Sequence, residues 1–234
     1  MSKKTKKDFQ EHIIDTLRRN GADVYGFSDL KDIPTHKSNK FEHAISIAIK
    51  LDEAIVDSIV ASPNQAYCDE YKEVNKKLDF ISENISKEIK TFGYKALPIP
   101  ASKRTDLVNI KGDFPHKTAA TRAGLGWIGK SSLLITKKYG PRIRLSTILT
   151  DFPFEPAIPI EKTFCGKCTK CIDACPANAI TGRKWYPGLA RKNLVDVYKC
   201  NNWKKTNYFN LCKGHVCGIC MAVCHFGRKT ISRT

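Results

Sequence analysis

The order of hydrophobic and polar residues predicts alternating helices and strands over the first 150 residues. Apolar residues three and four positions apart, from Val74 to Phe92, predict a long amphipathic helix over 69–92. The same spacing predicts further helices over 8–20, 52–60 and 117–123. Short apolar runs predict strands over 22–27, 43–50, 94–99, 132–136 and 142–150. Because helices and strands alternate, this part of the chain is predicted to form an α/β or α+β domain.

A proline-rich segment over 151–162 separates this part from the rest of the chain. Pro153, Pro156 and Pro159 exclude a helix there and suit a linker between domains. A chain of 234 residues is long enough for two small domains. We therefore predict one domain over 1–155 and a second over 156–234.

The longest clean apolar run, 44–49, is far shorter than the roughly 20 residues that a bilayer span needs. The basic N-terminus leads into an amphipathic pattern rather than the apolar core of a signal peptide. We therefore expect a cytoplasmic protein without a membrane partner.

Cysteines are concentrated in the second predicted domain, where nine of the ten lie between Cys165 and Cys224. Without an export signal, this concentration favours metal binding over a disulfide framework. One run follows the pattern C-x2-C-x2-C-x3-C-P, which is typical of two-cluster ferredoxins. Its members are Cys165, Cys168, Cys171 and Cys175, followed by Pro176. A zinc site or a reduced core is the alternative, although zinc sites usually pair two C-x2-C units.

A second run, Cys217-x2-Cys220-x3-Cys224, supplies the remaining ligands. In two-cluster ferredoxins the last cysteine of each run binds the other cluster. Cys224 is therefore predicted to join Cys165, Cys168 and Cys171, and Cys175 to join Cys217 and Cys220. The fourth ligand of the second set is left open between Cys200 and Cys212.

Three further residues have candidate ligand chemistry but simpler interpretations. His215 and His225 are expected to be exposed or hydrogen-bonded rather than to bind metal. Cys68, alone in the first predicted domain, is expected to be a buried thiol.

The charge is unevenly distributed along the chain. The net charge is +17, of which 14 Lys and Arg against three Asp and Glu give +11 over residues 161–234. Two oxidised [4Fe–4S] clusters with their thiolates offset roughly −4 of this local charge. The remaining charge suits an acidic partner such as RNA or a flavodoxin.

The segment Gly124 to Ser131 satisfies G-x-x-x-x-G-K-[ST], the pattern of a phosphate-binding loop. Such a loop requires a preceding strand and a following helix, whereas here a helix is predicted before it and a strand after it. Nucleotide hydrolysis is therefore not predicted. The glycines instead indicate close approach to another backbone or to a large flat ligand.

The run HKTAATRAGLGWIGKSSLLITKKYGPRIRLSTILTDFPFE from His116, followed by CGKCTKCIDACP, resembles the epoxyqueuosine reductase family and its short homologues. The stretch GYKALPIPAS from Gly93 extends the resemblance, which covers nearly the whole chain. It implies an α+β protein with a nitroreductase-like α/β cobalamin-binding domain, which also holds the substrate, followed by a two-cluster ferredoxin-like domain. It also implies kinship with reductive dehalogenases.

The resemblance implies two [4Fe–4S] clusters that deliver electrons to base-off cobalamin, which reduces the epoxide of a tRNA wobble nucleoside to an olefin. It favours Cys200 over Cys212 as the open ligand. A flavin is a less favoured cofactor, because the implied scaffold binds flavin in other proteins. The resemblance also implies a corrinoid next to the segment formed by Gly124, Leu125, Gly126, Trp127, Gly129 and Lys130.

The sequence departs from the family in three places. The family's catalytic Asp is absent from the stretch ALPIPAS, so the catalytic residue is unknown, with Asp106 and Asp113 as substitutes that are more typical of loop or cap residues. The segment QAYCDEYKEVN carries Tyr67 and Tyr71 but lacks the family's arginines. Only ten residues follow Cys224, so no helical-repeat domain is expected.

Three functions are compatible with these features. We predict an oxidoreductase that acts on epoxyqueuosine in tRNA or a related substrate and receives electrons from a ferredoxin- or flavodoxin-type donor. The alternative is a low-potential electron carrier, or a reductive activator of a corrinoid protein, without its own substrate chemistry. A nucleic-acid-binding module is disfavoured, because the basic residues form no recognised motif with interleaved aromatic residues.

Overall fold

The computed structural model describes residues 5–33 and 41–228. Seven α-helices are described: α1 Lys6–Arg19, α2 Glu53–Asp57, α3 Gln65–Thr91, α4 His116–Arg122, α5 Lys170–Asp173, α6 Val197–Asn207 and α7 Ile219–Ala222. Six strands are described: β1 Val24–Asp29, β2 His43–Lys50, β3 Ala96–Ile99, β4 Trp127–Ile128, β5 Leu134–Ile135 and β6 Ile143–Thr150. Short 3-10 helices occupy Arg191–Asn193 and Cys212–Gly214. The predicted mixture of helices and strands is confirmed.

The chain forms two compact units that are discontinuous in sequence. The first unit comprises Met1–Ile49, Glu73–Leu125 and Arg144–Ile160. The second unit comprises Lys50–Lys72, Gly126–Ile143 and Glu161–Thr234. Two segments of the first predicted domain, Lys50–Lys72 and Gly126–Ile143, cluster with the cysteine-rich part. The division of the sequence into domains over 1–155 and 156–234 stays a prediction.

A four-stranded sheet in the order β1-β2-β6-β3 organises the first unit. β1 pairs antiparallel with β2, and β3 pairs antiparallel with β6. From Ala44 to Ile49 every residue of β2 is buried, because both faces of the strand are covered. This explains why the strand reads as a continuous apolar run rather than an alternating one.

The long helix α3 and the first helix supply the other half of this core. Leu78, Ile81, Ile85 and Ile89 of α3 are fully buried, as their spacing predicts. The Ser82 and Ser146 hydroxyls lie 2.7 Å apart, so α3 meets β6 through a buried hydrogen bond. At the end of the helix the ring of Phe92 stacks on Phe9 of α1 at 4.0 Å.

The second unit contains the β4-β5 hairpin and the short helices α2, α5, α6 and α7. The sequence predicts one strand over 132–136, whereas β5 is only two residues long. It forms a hairpin with β4, in which Trp127 pairs with Ile135. No helix in the described part of the chain is both long enough and apolar enough to span a membrane.

Candidate metal centre

The first cysteine run forms a tight loop that leads into α5. The Cys168 amide donates to the Cys165 carbonyl at 3.2 Å, and the Cys175 amide donates to the Ile172 carbonyl at 3.1 Å. Gly166 has φ +54°, a conformation that favours glycine. These turns bring cysteines separated by two residues to one side of the loop.

The second cysteine run surrounds α7, which packs against α5. Cys220 lies within α7, Cys217 precedes it and Cys224 follows it. Gly218 caps the helix at φ +82°, and a Cβ there would lie 2.7 Å from Ile59 Cδ1. The packing of the two short helices therefore places the two cysteine runs side by side.

The eight free cysteines separate into two groups of four. The Cys171 thiol lies close enough to Cys165, Cys168 and Cys224 for their charges to raise its pKa. Cys165 and Cys168 act in the same way on Cys224. We call these four residues the first group: Cys165, Cys168, Cys171 and Cys224.

The second group contains Cys175, Cys200, Cys217 and Cys220. Cys200 and Cys175 both raise the pKa of Cys217, and these three cysteines raise the pKa of Cys220 together with Cys171 of the first group. Cys200 lies in α6, a helix whose N-terminus is capped by Asp196 through two backbone amides. Each group thus draws residues from both cysteine runs, and the crossed ligand pattern stays a prediction.

Burial is the main reason why four of these thiols, two in each group, resist ionisation. It raises the pKa of Cys171 to about 11, with the neighbouring cysteines as the next cause. Burial also raises the pKa values of Cys217, Cys220 and Cys224. Clustered thiols of this kind become thiolates when a bound cation supplies positive charge, which is the chemistry of a metal cluster.

A small cavity lies against the first group. Its lining residues are Lys130, Ser131, Ile135, Cys165, Cys168, Lys170, Cys171, Cys220, Cys224, His225 and Phe226. Five cysteines line this cavity, and the four that belong to the first group fit the ligand set of a [4Fe–4S] cluster. Within residues 5–33 and 41–228, no three His, Cys, Asp or Glu side chains form a site for a single metal ion. The case for metal therefore rests on the two sets of four cysteines.

Two polar side chains contact the cluster loop at Cys168. Lys130 is buried, and its Nζ donates to the Cys168 carbonyl at 2.8 Å. His225 Nδ1 lies 3.8 Å from Cys168 Sγ, which agrees with the expectation of a hydrogen-bonded histidine. The sequence pattern indicated Lys130 as a cofactor residue, but nothing in the pattern related it to the cysteines.

The six residues predicted near a corrinoid are divided between the two units. Gly124 and Leu125 belong to the first unit, whereas Gly126, Trp127, Gly129 and Lys130 belong to the second. A strand, β5, follows the segment where a phosphate-binding loop needs a helix, so the rejection of nucleotide hydrolysis is supported.

In the second unit, the glycines of this segment pack against protein atoms. A Cβ on Gly126 would overlap the carbonyl of Ile135, and a Cβ on Gly129 would overlap the Ile135 side chain. The same Cβ on Gly129 would lie 3.4 Å from Cys165 Sγ. The glycines therefore allow the β4-β5 hairpin to close and bring its backbone to the first cysteine group.

Cys68 is not the free buried thiol that the sequence predicts. It forms a disulfide with Cys212, 144 residues further along the chain. Helix α3 begins at Gln65, four residues before its predicted start, so Cys68 lies in its first turn. The bond involves one of the two candidates for the open ligand, whereas Cys200 lies with the second group.

Polar groups of the first unit contact the stretch ALPIPAS, residues 96–102, which lacks the family's Asp. The Ala101 amide donates to Asp79 Oδ1 at 2.8 Å, and burial raises the pKa of this carboxyl above its usual value. Arg144 donates to the Ala101 carbonyl at 3.3 Å. Asp79 is thus a carboxylate brought to the stretch from α3. It was missed because its position on the polar face of a helix carries no special pattern.

Asp106, one of the two substitutes considered from the sequence, has the features of a loop residue. It accepts hydrogen bonds from the backbone amide and side chain of Asn109, each at 2.8 Å. These hydrogen bonds lower its pKa, so the group holds a proton less readily than an ordinary Asp. Asp113 is half-buried.

His116 gives the first unit a specific dependence on pH. Its Nε2 donates to the Pro100 carbonyl at 3.1 Å and its Nδ1 accepts from the Thr147 hydroxyl at 2.8 Å. Burial lowers its pKa from 6.5 to about 4. Between these pH values the unfolded chain binds a proton that the folded chain does not, so stability is complete above pH 6.5 and falls as the pH falls towards 4.

We expect roughly 3 kcal/mol to be lost through this residue between pH 7 and pH 4. An NMR titration of the ring should give a midpoint near 4, and His116→Gln should reduce the pH dependence of thermal unfolding. A ring that titrates near 6.5 would contradict this account.

The comparisons with known proteins agree with the geometry of the cysteines. Residues 164–227 match the family of 4Fe-4S double cluster binding domains. An epoxyqueuosine reductase from Vibrio cholerae is 31% identical over 188 residues, which are 73% of this chain and 45% of that protein. The chain thus matches less than half the length of this relative.

Solved structures show the same fold. A reductive dehalogenase whose structure "suggests a mechanism for B12-dependent dehalogenation" matches 95% of this chain and 32% of its own, with a TM-score of 0.76 and 21% identity. An epoxyqueuosine reductase solved with an epoxyqueuosine-modified tRNA stem loop matches 95% of this chain and 66% of its own, with a TM-score of 0.59 and 20% identity.

These matches define the class of protein. The chain carries a double cluster domain of the 4Fe-4S type, and its fold is shared with reductive dehalogenases. Within that class, the chain resembles the epoxyqueuosine reductases over 73% of its own length. The predictions of the family and of the fold class are confirmed.

Proposed function

We propose that this chain is an iron–sulfur-dependent reductase that acts on an epoxyqueuosine-type nucleoside in tRNA, with a corrinoid as its second cofactor. The observation that carries the proposal is the separation of eight free cysteines into two groups of four within a double cluster domain. The family relationship supports the substrate class.

The proposal assigns one [4Fe–4S] cluster to each group of cysteines. Cys165, Cys168, Cys171 and Cys224 bind the first cluster, and Cys175, Cys200, Cys217 and Cys220 bind the second. The mutual effects on pKa within each group support this division. Cys212 is left out of the ligand set because it is joined to Cys68.

Two such clusters suit the electron balance of the reaction. Conversion of an epoxide to an olefin consumes two electrons and two protons and releases one water molecule. Each cluster carries one electron, so the pair can deliver what one turnover needs. The electrons come from an external donor of the ferredoxin or flavodoxin type, and Asp79 is a carboxylate able to hold a proton in the first unit.

The corrinoid enters the proposal through the family and the fold alone. When bound, it would supply a cobalt centre able to pass electrons to carbon. The residues predicted for it fit less well than the cysteines fit the clusters, because Gly126 and Gly129 are packed against Ile135. We therefore derive no chemical step through it.

The basic charge supports a nucleic-acid substrate. Residues 161–234 carry a net +11 before any cluster is bound, which would attract the phosphates of tRNA. The cytoplasm suits this function, because free cysteine ligands stay reduced there. The Cys68–Cys212 disulfide is an exception to that rule.

A second candidate function is an electron carrier or a reductive activator of a corrinoid protein. The absence of the family's Asp from the stretch around Ala101, and the packed glycines beside β5, favour it. In this case the clusters are present but the chain neither retains a corrinoid nor turns over the nucleoside.

One experiment separates the two functions. Anaerobically purified protein is analysed for iron, incubated with cobalamin, passed through gel filtration and then given reductant and an epoxyqueuosine-modified tRNA stem loop. About eight irons per chain, one retained corrinoid and conversion to queuosine support the reductase. About eight irons without corrinoid or conversion support the carrier, and fewer than four irons overturn both. Cys171→Ser is the inactive control for conversion.

A further inference from the structure

Two buried cations lie beside the first cysteine group. Lys130 is 6% exposed and Arg142 is 2% exposed, and both belong to the second unit. Charged side chains are seldom buried without a partner, because leaving water costs several kcal/mol. Their neighbours therefore indicate which charge they balance.

Lys130 faces the cavity formed by the first group. It lines that cavity together with the four cysteines of the first group and Cys220, and its Nζ donates to the carbonyl of Cys168. In the described part of the chain Lys130 forms no ion pair with a carboxylate. A neutral carbonyl satisfies one of its three N–H donors and offsets none of its net charge.

Arg142 approaches the same group from the side of α7. Its Nη2 bonds to Asp57 Oδ1 at 2.7 Å and to the Ala222 carbonyl at 3.3 Å, two residues before Cys224. Its Nε and Nη1 are buried and have no hydrogen-bond partner among the described residues. Two donor nitrogens of Arg142 are thus left without a partner.

A cation near the second group has different surroundings. Lys204 lies four residues after Cys200 on α6, but it is half-exposed and its Nζ donates to the His215 carbonyl at 3.2 Å. Water and salt screen a half-exposed charge far more than a buried one. The two groups therefore experience unequal positive potentials.

We propose that the buried charges of Lys130 and Arg142 hold the reduction potential of the first cluster above that of the second, so that electrons entering the domain collect on the first. Net charge and hydrogen bonds around the sulfur atoms are known to set cluster potentials. A reduced cluster carries one more negative charge, which nearby buried cations stabilise. This inference rests on the proposed function, because it requires that both clusters bind.

The proposed order of the two reduction potentials determines where electrons leave the domain. Gly129 and Lys130, part of the segment proposed for the second cofactor, border the first group. Electrons that collect on the first cluster are therefore next to this segment. The second cluster, bound by Cys200 on α6, becomes the entry point for the donor.

The test is a potentiometric titration of both clusters, followed by EPR, in holoprotein whose iron content has been measured. Lys130→Gln should lower the higher of the two potentials, with about a tenfold loss in the equilibrium constant for reduction, or about 59 mV for one electron. The lower potential should stay unchanged. Lys130→Arg should restore most of the shift, and Lys170→Gln, which removes an exposed charge lining the same cavity, should produce a smaller one.

A second variant is expected to shift the higher reduction potential in the opposite direction. Asp57→Asn removes the carboxylate that offsets Arg142, so it should raise the same potential. If Lys130→Gln lost its iron, the Asp57→Asn measurement would decide the question alone. Eight retained irons with no shift in either potential, or a shift confined to the lower one, overturns the inference. Wild-type protein that binds no second cluster instead overturns the proposed function.

Discussion

Replacing Cys200 with serine is expected to remove about half of the bound iron, whereas replacing Cys212 with serine leaves the iron content unchanged. Both residues lie between the two cysteine runs, and sequence spacing alone does not choose between them. In the structure Cys200 acts on Cys217 and Cys220, while Cys212 is bonded to Cys68. A cluster with three thiolates is labile, because each ligand contributes to the affinity of the whole site.

The measurement is iron and sulfide per chain after anaerobic purification, together with the visible absorbance of the clusters. We expect about four irons for Cys200→Ser and about eight for Cys212→Ser. Cys68→Ser is the matched control for loss of the disulfide and should behave like Cys212→Ser. A Cys212→Ser protein with four irons and a Cys200→Ser protein with eight would reverse the assignment.

The second large effect is expected where two glycines meet next to the first cysteine group. Gly140 has φ +54° and Gly227 has φ +77°. A Cβ on Gly140 would overlap the Phe226 carbonyl, and a Cβ on Gly227 would overlap the backbone of Tyr139. Phe226 lines the cavity of the first group. A side chain at either glycine must therefore push that wall outwards.

Gly140→Ala is expected to destabilise the second unit by about 2–4 kcal/mol, which combines the left-handed backbone with overpacking. Gly188→Ala is the matched control, since Gly188 has φ +85° but no atom within 4 Å of an added Cβ. It should cost only about 1–2 kcal/mol. Thermal unfolding and the rate of iron loss to a chelator measure both effects. Equal losses in the two variants would show that the contact with Phe226 is unimportant.

Local patterns predicted the elements of the fold whose cause is itself local. Strand β2 has the predicted bounds, and α3 is predicted within four residues at its start and one at its end, because burial follows directly from hydrophobic spacing. The order of helix and strand around Gly129 was sufficient to reject a phosphate-binding loop. The β4 strand was missed because two residues, Trp127 and Ile128, are too few to produce a periodic pattern.

The features that sequence did not predict depend on residues far apart in the chain. The Cys68–Cys212 bond joins α3 to a 3-10 helix 144 residues later, and no spacing rule connects them. Asp79 reaches Ala101 from a helix face that looks merely solvated. Arg142 was read only as the start of a strand, although its burial beside Ala222 determines the charge near Cys224.

The crossed arrangement of the two cysteine groups also limits the order of events during synthesis. The first group needs Cys224 in addition to three residues some 55 positions earlier, and the second needs Cys217 and Cys220 in addition to Cys175. On a ribosome, neither set of four is complete until nearly the whole cysteine-rich segment has emerged. With the proposed ligand sets, iron must therefore be delivered after the cysteine-rich segment has emerged, and a translation product truncated before residue 217 would contain neither complete set.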